Sequence, residues 1–222
     1  MISMMRLSRY GGNPNIGVYA AVNESHAFIA GDASNEFVET VEAALGVETT
    51  LLTIAGSFVI WSLMAINSNG AVVSGLTEEG EVKKIGEFAK CIRVDDPLNA
   101  AGNNILVNDH GAIVNPDYPE DVIRSISDAL GVECVPATIA DCKTVGSICS
   151  ATNKGCVCHI DATDDEVELI KDVLKVEAVR SSVNHGSRMV GAGILSNSKG
   201  AVVGDDTTPI EMGRIEEGLA LY

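Results

Sequence analysis

Asn67-Ser68-Asn69-Gly70-Ala71-Val72-Val73 is a polar turn ending in glycine that opens into a short apolar run, and the phrase returns along the chain. It recurs as Asn108-Asp109-His110-Gly111 before Ala112-Ile113-Val114, and as Asn153-Lys154-Gly155 before Cys156-Val157-Cys158. A further copy is Asn197-Ser198-Lys199-Gly200 before Ala201-Val202-Val203, and a degenerate one is Asn23-Glu24-Ser25-His26 before Ala27-Phe28-Ile29. Positions 26, 70, 111, 155 and 200 stand 44, 41, 44 and 45 residues apart, so five units of about 44 residues account for the chain.

A second landmark agrees. Leu45-Gly46-Val47-Glu48 reappears as Leu130-Gly131-Val132-Glu133 and as Leu174-Lys175-Val176-Glu177. Within a unit an apolar strand (Leu63–Ile66, Ile105–Val107, Ile194–Leu195) enters the turn, whose expected positive φ suits Asn and Gly, and a second strand leaves it. A helix follows, with apolar spacing near 3.6 at Val122, Ile123, Ile126, Ala129 and Leu130, or at Val167, Ile170, Val173 and Leu174. Capping boxes Thr163…Glu166 and Thr208…Glu211, the latter with Pro209 at the first helical position, mark helix starts. A third strand, such as Val132–Ile139 or Val176–Val183, closes the unit. The order is strand, strand, helix, strand.

The fifth unit ends after its helix, at about Leu219, and lacks a third strand. The segment Ile2–Tyr10 has no other assignment, so the chain's start is expected to pair with its last unit and close a ring, hiding sheet edges. The expected organisation is one α+β domain over 1–222, with repeats at 11–56, 57–100, 101–144, 145–189 and 190–222, the last completed by strand 1–10.

Length and composition bound the function. The 222 residues, 46% apolar, bury a substantial core. Fifteen basic against 31 acidic residues leave a net charge of −16, which argues against an electrostatic nucleic-acid binder. Six irregularly spaced cysteines and no signal-peptide pattern read as a reduced, cytoplasmic protein. The apolar stretch Leu51–Ile66 is 16 residues long and interrupted by Gly56-Ser57, too short for a membrane span, and reads as two buried strands around a tight turn.

The chemical candidates are weak. Cys156-Val157-Cys158-His159 resembles a thiol or metal motif, but repeat alignment gives Cys156 the place of Ala27, Ala71, Ala112 and Ala201. Cys158 takes that of Ile29, Val73, Val114 and Val203; Cys149 matches Ala20, Met64, Ile105 and Ile194. These are expected to be core hydrophobes. Cys134 and Cys142, which match Thr49 and Ser57, are less clearly buried. His26 and His110 fall in hairpin turns and are expected at the surface, with His159 at a strand end and His185 in a loop. No phosphate loop or dinucleotide fingerprint occurs, and Asp205-Asp206 before Thr207-Thr208 is read as helix capping, so no cofactor, metal or catalytic set is expected.

Polar segments do recur before the first strand of every unit: Gly11 to Asn15, Ala55 to Ser57, Ala101 to Asn104, Thr144 to Ser147, and Val183 to Ser187. A closed fivefold arrangement gathers them at one end, as a rigid polar face suited to binding. Ser57, Asn103, Asn104, Ser147, Asn184 and His185 are its candidate contacts.

The run Thr144-Val145-Gly146-Ser147, Thr152-Asn153-Lys154-Gly155, Val183-Asn184-His185-Gly186-Ser187 and Gly204-Asp205-Asp206-Thr207-Thr208 closely resembles translation initiation factor 6 of archaea and eukaryotes. Asn15-Ile16-Gly17-Val18 and Leu98-Asn99-Ala100-Ala101-Gly102-Asn103 fit as well, and the length suits the archaeal form. The resemblance implies a pentein fold (a β/α-propeller), five pseudo-symmetric units with strands inward and helices outward. It also implies a monomer that binds the large ribosomal subunit on its intersubunit face. The implied partners are ribosomal proteins near the sarcin-ricin loop, with limited rRNA contact and no DNA or membrane. The implied effect is to block premature joining of the small subunit, with a role in large-subunit maturation and translation initiation. Arg6, Arg9 and Arg188 are weaker candidates for rRNA phosphates. One departure stands out: Trp61 occupies the place of Gly17, Gly102, Gly146 and Gly191. The alternative reading is a pentein-fold amidino-hydrolase or amidinotransferase with a Cys nucleophile. The last cysteine, Cys158, is placed as a core residue, so no enzyme is expected.

Overall fold

Alternation of short buried strands and amphipathic helices builds the same small sheet five times. The computed structural model describes residues 4–222, and among them fifteen strands form five three-stranded sheets. The first comprises β2 (Ala20–Val22), β3 (His26–Ala30) and β4 (Glu48–Leu52); the second, β5 (Met64–Ile66), β6 (Gly70–Val73) and β7 (Lys90–Arg93). The third holds β8 (Ile105–Val107), β9 (Ala112–Val114) and β10 (Cys134–Pro136); the fourth, β11 (Ser150–Ala151), β12 (Gly155–His159) and β13 (Glu177–Ser181). In each, the first two strands pair antiparallel and the third joins the second in parallel.

The helices between second and third strands are α1 (Asn35–Leu45), α2 (Glu79–Ile85), α3 (Glu120–Leu130) and α4 (Asp164–Leu174); α5 (Pro209–Gly218) follows the fifth hairpin. Both expected capping boxes form, with Thr163 and Thr208 accepting from the N3 amides of α4 and α5. In the fifth sheet β14 (Ile194–Asn197) and β15 (Gly200–Gly204) are joined by β1 (Met5–Ser8), parallel to β15 with Met5 opposite Ala201 and Ser8 opposite Gly204. The start of the chain thus supplies the missing third strand. The first part of the expected segment, at Ile2, lies outside the described residues.

Central strands are the most buried: every residue of β3, β12 and β15 is inside, because an outer helix covers one face and the neighbouring sheets cover the other. Cys149, Cys156 and Cys158 sit there fully buried as small apolar residues, while Cys91, Cys134 and Cys142 are half-buried.

The hairpin glycines are present for a different reason than turn geometry. Gly70, Gly111, Gly155 and Gly200 do not have positive φ. Instead a Cβ on Gly70 would lie 2.2 Å from the Ala129 carbonyl oxygen, and on Gly111 2.2 Å from that of Val173. On Gly155 it would lie 2.0 Å from the Gly218 oxygen, and on Gly200 2.2 Å from that of Ala44. Each glycine admits the C-terminal end of a neighbouring unit's helix, and for the fifth unit that neighbour is the first. Asparagine amides tie the same junctions. Asn23, Asn67 and Asn108 donate to the carbonyls of Asn67, Asn108 and Thr152, and Asn197 to that of Asn23. Asn67, Asn108 and Asn197 also satisfy the helix-terminal carbonyls of Leu130, Leu174 and Leu45.

The degenerate first hairpin follows from this packing. Its neighbour α2 has seven residues where α1, α3 and α4 have eleven, so the glycine position holds His26. His26 is buried rather than exposed: its ring stacks on Phe88 at 4.0 Å and its Nε2 is 2.9 Å from Thr50 Oγ1. Two further readings change. Leu51–Ile66 is not two strands meeting at Gly56-Ser57, since Ile60–Leu63 is a turn of helix before β5; no helix among the described residues is long and apolar enough to cross a membrane. Asp205 and Asp206 do not cap α5. Both pair with the Arg9 guanidinium across the β1 junction, leaving the cap to Thr208.

Candidate partner-binding face

The recurrent polar segments are not open loops. Each leads into a single helical turn: Ile16–Tyr19, Ile60–Leu63, Ala101–Asn104, Val145–Ile148 and Val190–Gly193. The residues before them, Asn15, Val59, Ala100, Thr144 and Met189, share φ between −79° and −87° and ψ between 61° and 71°. Five chemically unlike side chains in one conformation point to a geometry imposed by packing, since no common local propensity could produce it. The first helical residue (Ile16, Ile60, Ala101, Val145, Val190) is buried and anchors each turn in the core.

Successive helical turns touch, and the fifth touches the first. A Cβ on Gly102 would lie 1.5 Å from the Trp61 carbonyl oxygen, on Gly146 2.0 Å from that of Gly102, and on Gly191 2.1 Å from that of Gly146. On Gly17 it would lie 2.5 Å from the Gly191 oxygen. Backbone therefore packs on backbone at four positions, and the fifth carries Trp61. Its indole lines a cavity of about 30 Å³ walled by residues of all five units, among them Val22, Val107, Ala151 and Leu195. The indole Nε1 is buried there without a hydrogen-bond partner among the described residues.

Capping-box glutamates hold the segments in place. Glu211 Oε1 accepts from Ser182 Oγ (2.7 Å) and Gly186 N (2.8 Å), and Oε2 from His185 N (3.1 Å) and Thr208 N (2.8 Å). Burial alone would raise this carboxyl, but the bonds from Ser182, Thr208 and Gly186 outweigh it and bring its pKa to about 2. Glu81 does the same for Thr53, Ala55 and Gly56, and Glu166 for Ala140. Those contacts stabilise left-handed residues that are not glycine, Ala55, Ala140 and His185 with φ of 53°, 49° and 62°, while the left-handed Asn184 (φ 50°) donates its amide to Thr207 Oγ1.

The six sequence-derived candidates lie at this end but differ in availability. Asn103 is half-exposed, with no side-chain partner among the described residues, and His185 is exposed. Ser57 is half-exposed, its Oγ accepting from Val59 N. Asn184 is half-exposed yet committed, donating to Pro14 O and accepting from Thr207 Oγ1. Asn104 and Ser147 are buried: Asn104 bonds Ala100 O and Asn115 Nδ2, and Ser147 Oγ donates to Thr144 O. These two shape the face from beneath. Two exposed apolar residues beside them, Phe58 (42%) and Met189 (45%), were not singled out by polarity, although each stands two or three positions before the aligned Gly or Trp.

Charge is the feature that distinguishes the face. No residue of the five helical turns is charged, in a chain of net −16. Basic residues at its rim are matched: Lys143 with Asp117 (2.7 Å), Arg188 with Asp161 (2.8 Å), and Arg9 with Asp205 and Asp206. Arg9 and Arg188 are thereby engaged, whereas Arg6 is exposed without an ion pair among the described residues. Among those residues no group of three or more His, Cys, Asp or Glu could hold a metal ion.

Residues 5–218 match the model of the eIF-6 family. The chain is 43% identical over 206 residues to a protein named Translation initiation factor 6 from Methanoculleus marisnigri, covering 93% of this chain and 94% of the relative. It is 40% identical over 209 residues to one of that name from Methanocorpusculum labreanum, with the same coverage. Against one from Methanocaldococcus jannaschii it is 36% identical over 228 residues, covering 99% and 100%.

Proposed function

The chain belongs to the eIF-6 family, whose archaeal members it matches over nearly their whole length and which are named as translation initiation factors, and we propose that it acts by binding the large ribosomal subunit. In this reading it covers the intersubunit face, prevents premature joining of the small subunit, and serves large-subunit maturation as well as initiation. It works in the cytoplasm as a monomer of one domain over 1–222, a five-unit pentein ring. The cyclic sequence of contacts, from Gly200 against α1 and Asn197 against Asn23 to β1 against β15, supports closure.

The observation that carries the proposal is the uncharged, backbone-packed face built by the helical turns. A chain of net −16 repels bare rRNA over most of its surface, and an apolar and amide-bearing patch lets it approach a mixed protein–RNA surface without that penalty. Its acidic flanks complement basic ribosomal proteins. Asn103, His185, Ser57, Phe58 and Met189 are the exposed contacts, with Asn184, Asn104 and Ser147 holding the shape. Catalysis finds no support in the three core thiols: burial raises Cys158 to about 11 and Cys149 and Cys156 far above the usual range, the opposite of an activated nucleophile.

Sucrose gradients of purified subunits test the reading. Bound protein should travel with large subunits and reduce joining, and Met189→Asp with Asn103→Asp should weaken that binding at least tenfold. Absence of large-subunit binding, full joining despite bound protein, or unchanged binding by the double variant defeats it. Rapid stoichiometric labelling of one thiol in the folded protein would instead favour the enzyme.

A further inference from the structure

The junction between the first and second units departs from the other four, and the departure leaves a groove. Elsewhere a hairpin glycine is filled by the end of the adjoining helix, as Gly70 is by Ala129 and Gly111 by Val173. Here α2 stops at Ile85, His26 replaces the glycine, and Phe88 lies over the His26 ring with 46% of its surface exposed. The groove has a volume of about 620 Å³ and lies at the hairpin end of β2, away from the helical turn that precedes that strand.

Its lining is acidic and aromatic. Glu42 and Glu48 are exposed; one Glu42 carboxylate oxygen accepts from Thr49 Oγ1 at 2.7 Å, and the Glu48 carboxylate has no hydrogen-bond or ion-pair partner among the described residues. Among the described residues the one cation of the lining, Lys199, is spent on backbone: its Nζ donates to Glu24 O at 2.7 Å and Gly46 O at 2.9 Å. His26 is 95% buried by its 5% exposure; with Nε2 on Thr50, its Nδ1 has no partner among the described residues. Burial lowers the pKa of this imidazole against the upward pull of Glu48, so the ring under Phe88 is neutral at pH 7.

We propose that this groove seats an arginine side chain presented by a basic protein segment, the guanidinium lying on the exposed face of Phe88 between the Glu42 and Glu48 carboxylates. A planar cation matches an open aromatic face, and its forked donors match carboxylates better than a lysine ammonium does. The net charge of −16 steers such a segment to the protein, and the aromatic floor fixes where it stops. The site is separate from the uncharged face, so it provides a second point of attachment.

The test is amide-resolved NMR titration of the full chain with a capped tri-arginine peptide and, in parallel, tri-lysine, at about 0.15 M ionic strength. Tri-arginine should shift Gly46, Val47, Glu48 and Phe88 foremost, and tri-lysine should bind more weakly. Phe88→Ala leaves net charge unchanged and should weaken tri-arginine binding roughly two- to fivefold, as expected for loss of an exposed cation–π contact. Phe88→Leu keeps bulk at the site and should weaken it similarly, which covers the case in which the alanine variant is poorly folded. Glu48→Gln should weaken it further. Shifts scattered over the acidic surface, equal binding of the two peptides, or affinity unaltered by Phe88→Leu overturns the proposal.

Discussion

Lys175 shows how far a single residue can depart from the repeat and what that costs. It stands where the aligned phrase has Gly46 and Gly131, and it adopts their left-handed conformation, with φ 57° against 59° and 64°. All three end a helix with an amide bond back to the preceding turn, Lys175 N to Lys171 O at 2.9 Å. A Cβ in that region is strained by about 1 kcal/mol. Lys175→Gly should therefore stabilise the protein by about 0.5–1 kcal/mol, raising Tm by roughly 2 °C for a chain of this size, as calorimetry would record. An unchanged or lower Tm would mean that the lysine side chain compensates elsewhere. Gly102 and Gly146 illustrate the reverse case: the neighbour's carbonyl, not φ, demands glycine there.

At the scale of elements, the link between a helix start and the binding face runs through Glu211. This one carboxylate closes the capping box of α5 and collects the amides of His185 and Gly186. Its pKa is depressed from 4.5 to about 2, so the stabilisation it provides is complete above pH 4.5 and is lost as pH falls from there toward 2. Glu211→Gln should cost about 2 kcal/mol at pH 7, the worth of a charge-assisted cap. Urea titrations at several pH values should show the gap between variant and wild type closing below pH 4.5. A gap independent of pH would assign the effect to packing alone. In the variant the Val183–Ser187 segment should also exchange its amides faster, since the left-handed residues there lose their holder.

For the whole molecule, the decisive contact is the parallel pairing of β1 with β15. After the last helix Ala220, at φ 52° and one residue beyond the cap Leu219, takes a left-handed φ like those of Gly46, Gly131 and Lys175. In the first, third and fourth units the left-handed residue is followed at once by a third strand; here the strand is supplied from the chain's other end. Deleting residues 1–9 should remove cooperative unfolding and give strong ANS binding, because Val203 and the faces of two units lose their cover. Moving the same nine residues behind Tyr222 should restore a single sharp transition within a few degrees of wild type. A truncated chain that unfolds like wild type would refute the closure reading.

Turn phrases at a spacing of about 44 residues, helical apolar periods and two Thr…Glu capping boxes are local patterns, so unit number, element order and core cysteines were legible from the sequence. The end of the molecule bearing Ser57, Asn103, Asn104, Ser147, Asn184 and His185 followed as well, because repetition places equivalent segments together. Residue identity did not say which of those side chains are free. Ser147 and Asn104 turned inward onto local partners, Thr144 for the one and Ala100 and Asn115 for the other, whereas His26 was buried under Phe88 of the next unit. The same holds for the helical turns, whose shared dihedrals arise where five backbones meet, and for the groove beside Phe88, left by a helix that stops short. Local pattern determines what each unit is; only the contacts made on folding, within and between units, determine which of its atoms remain available to a partner.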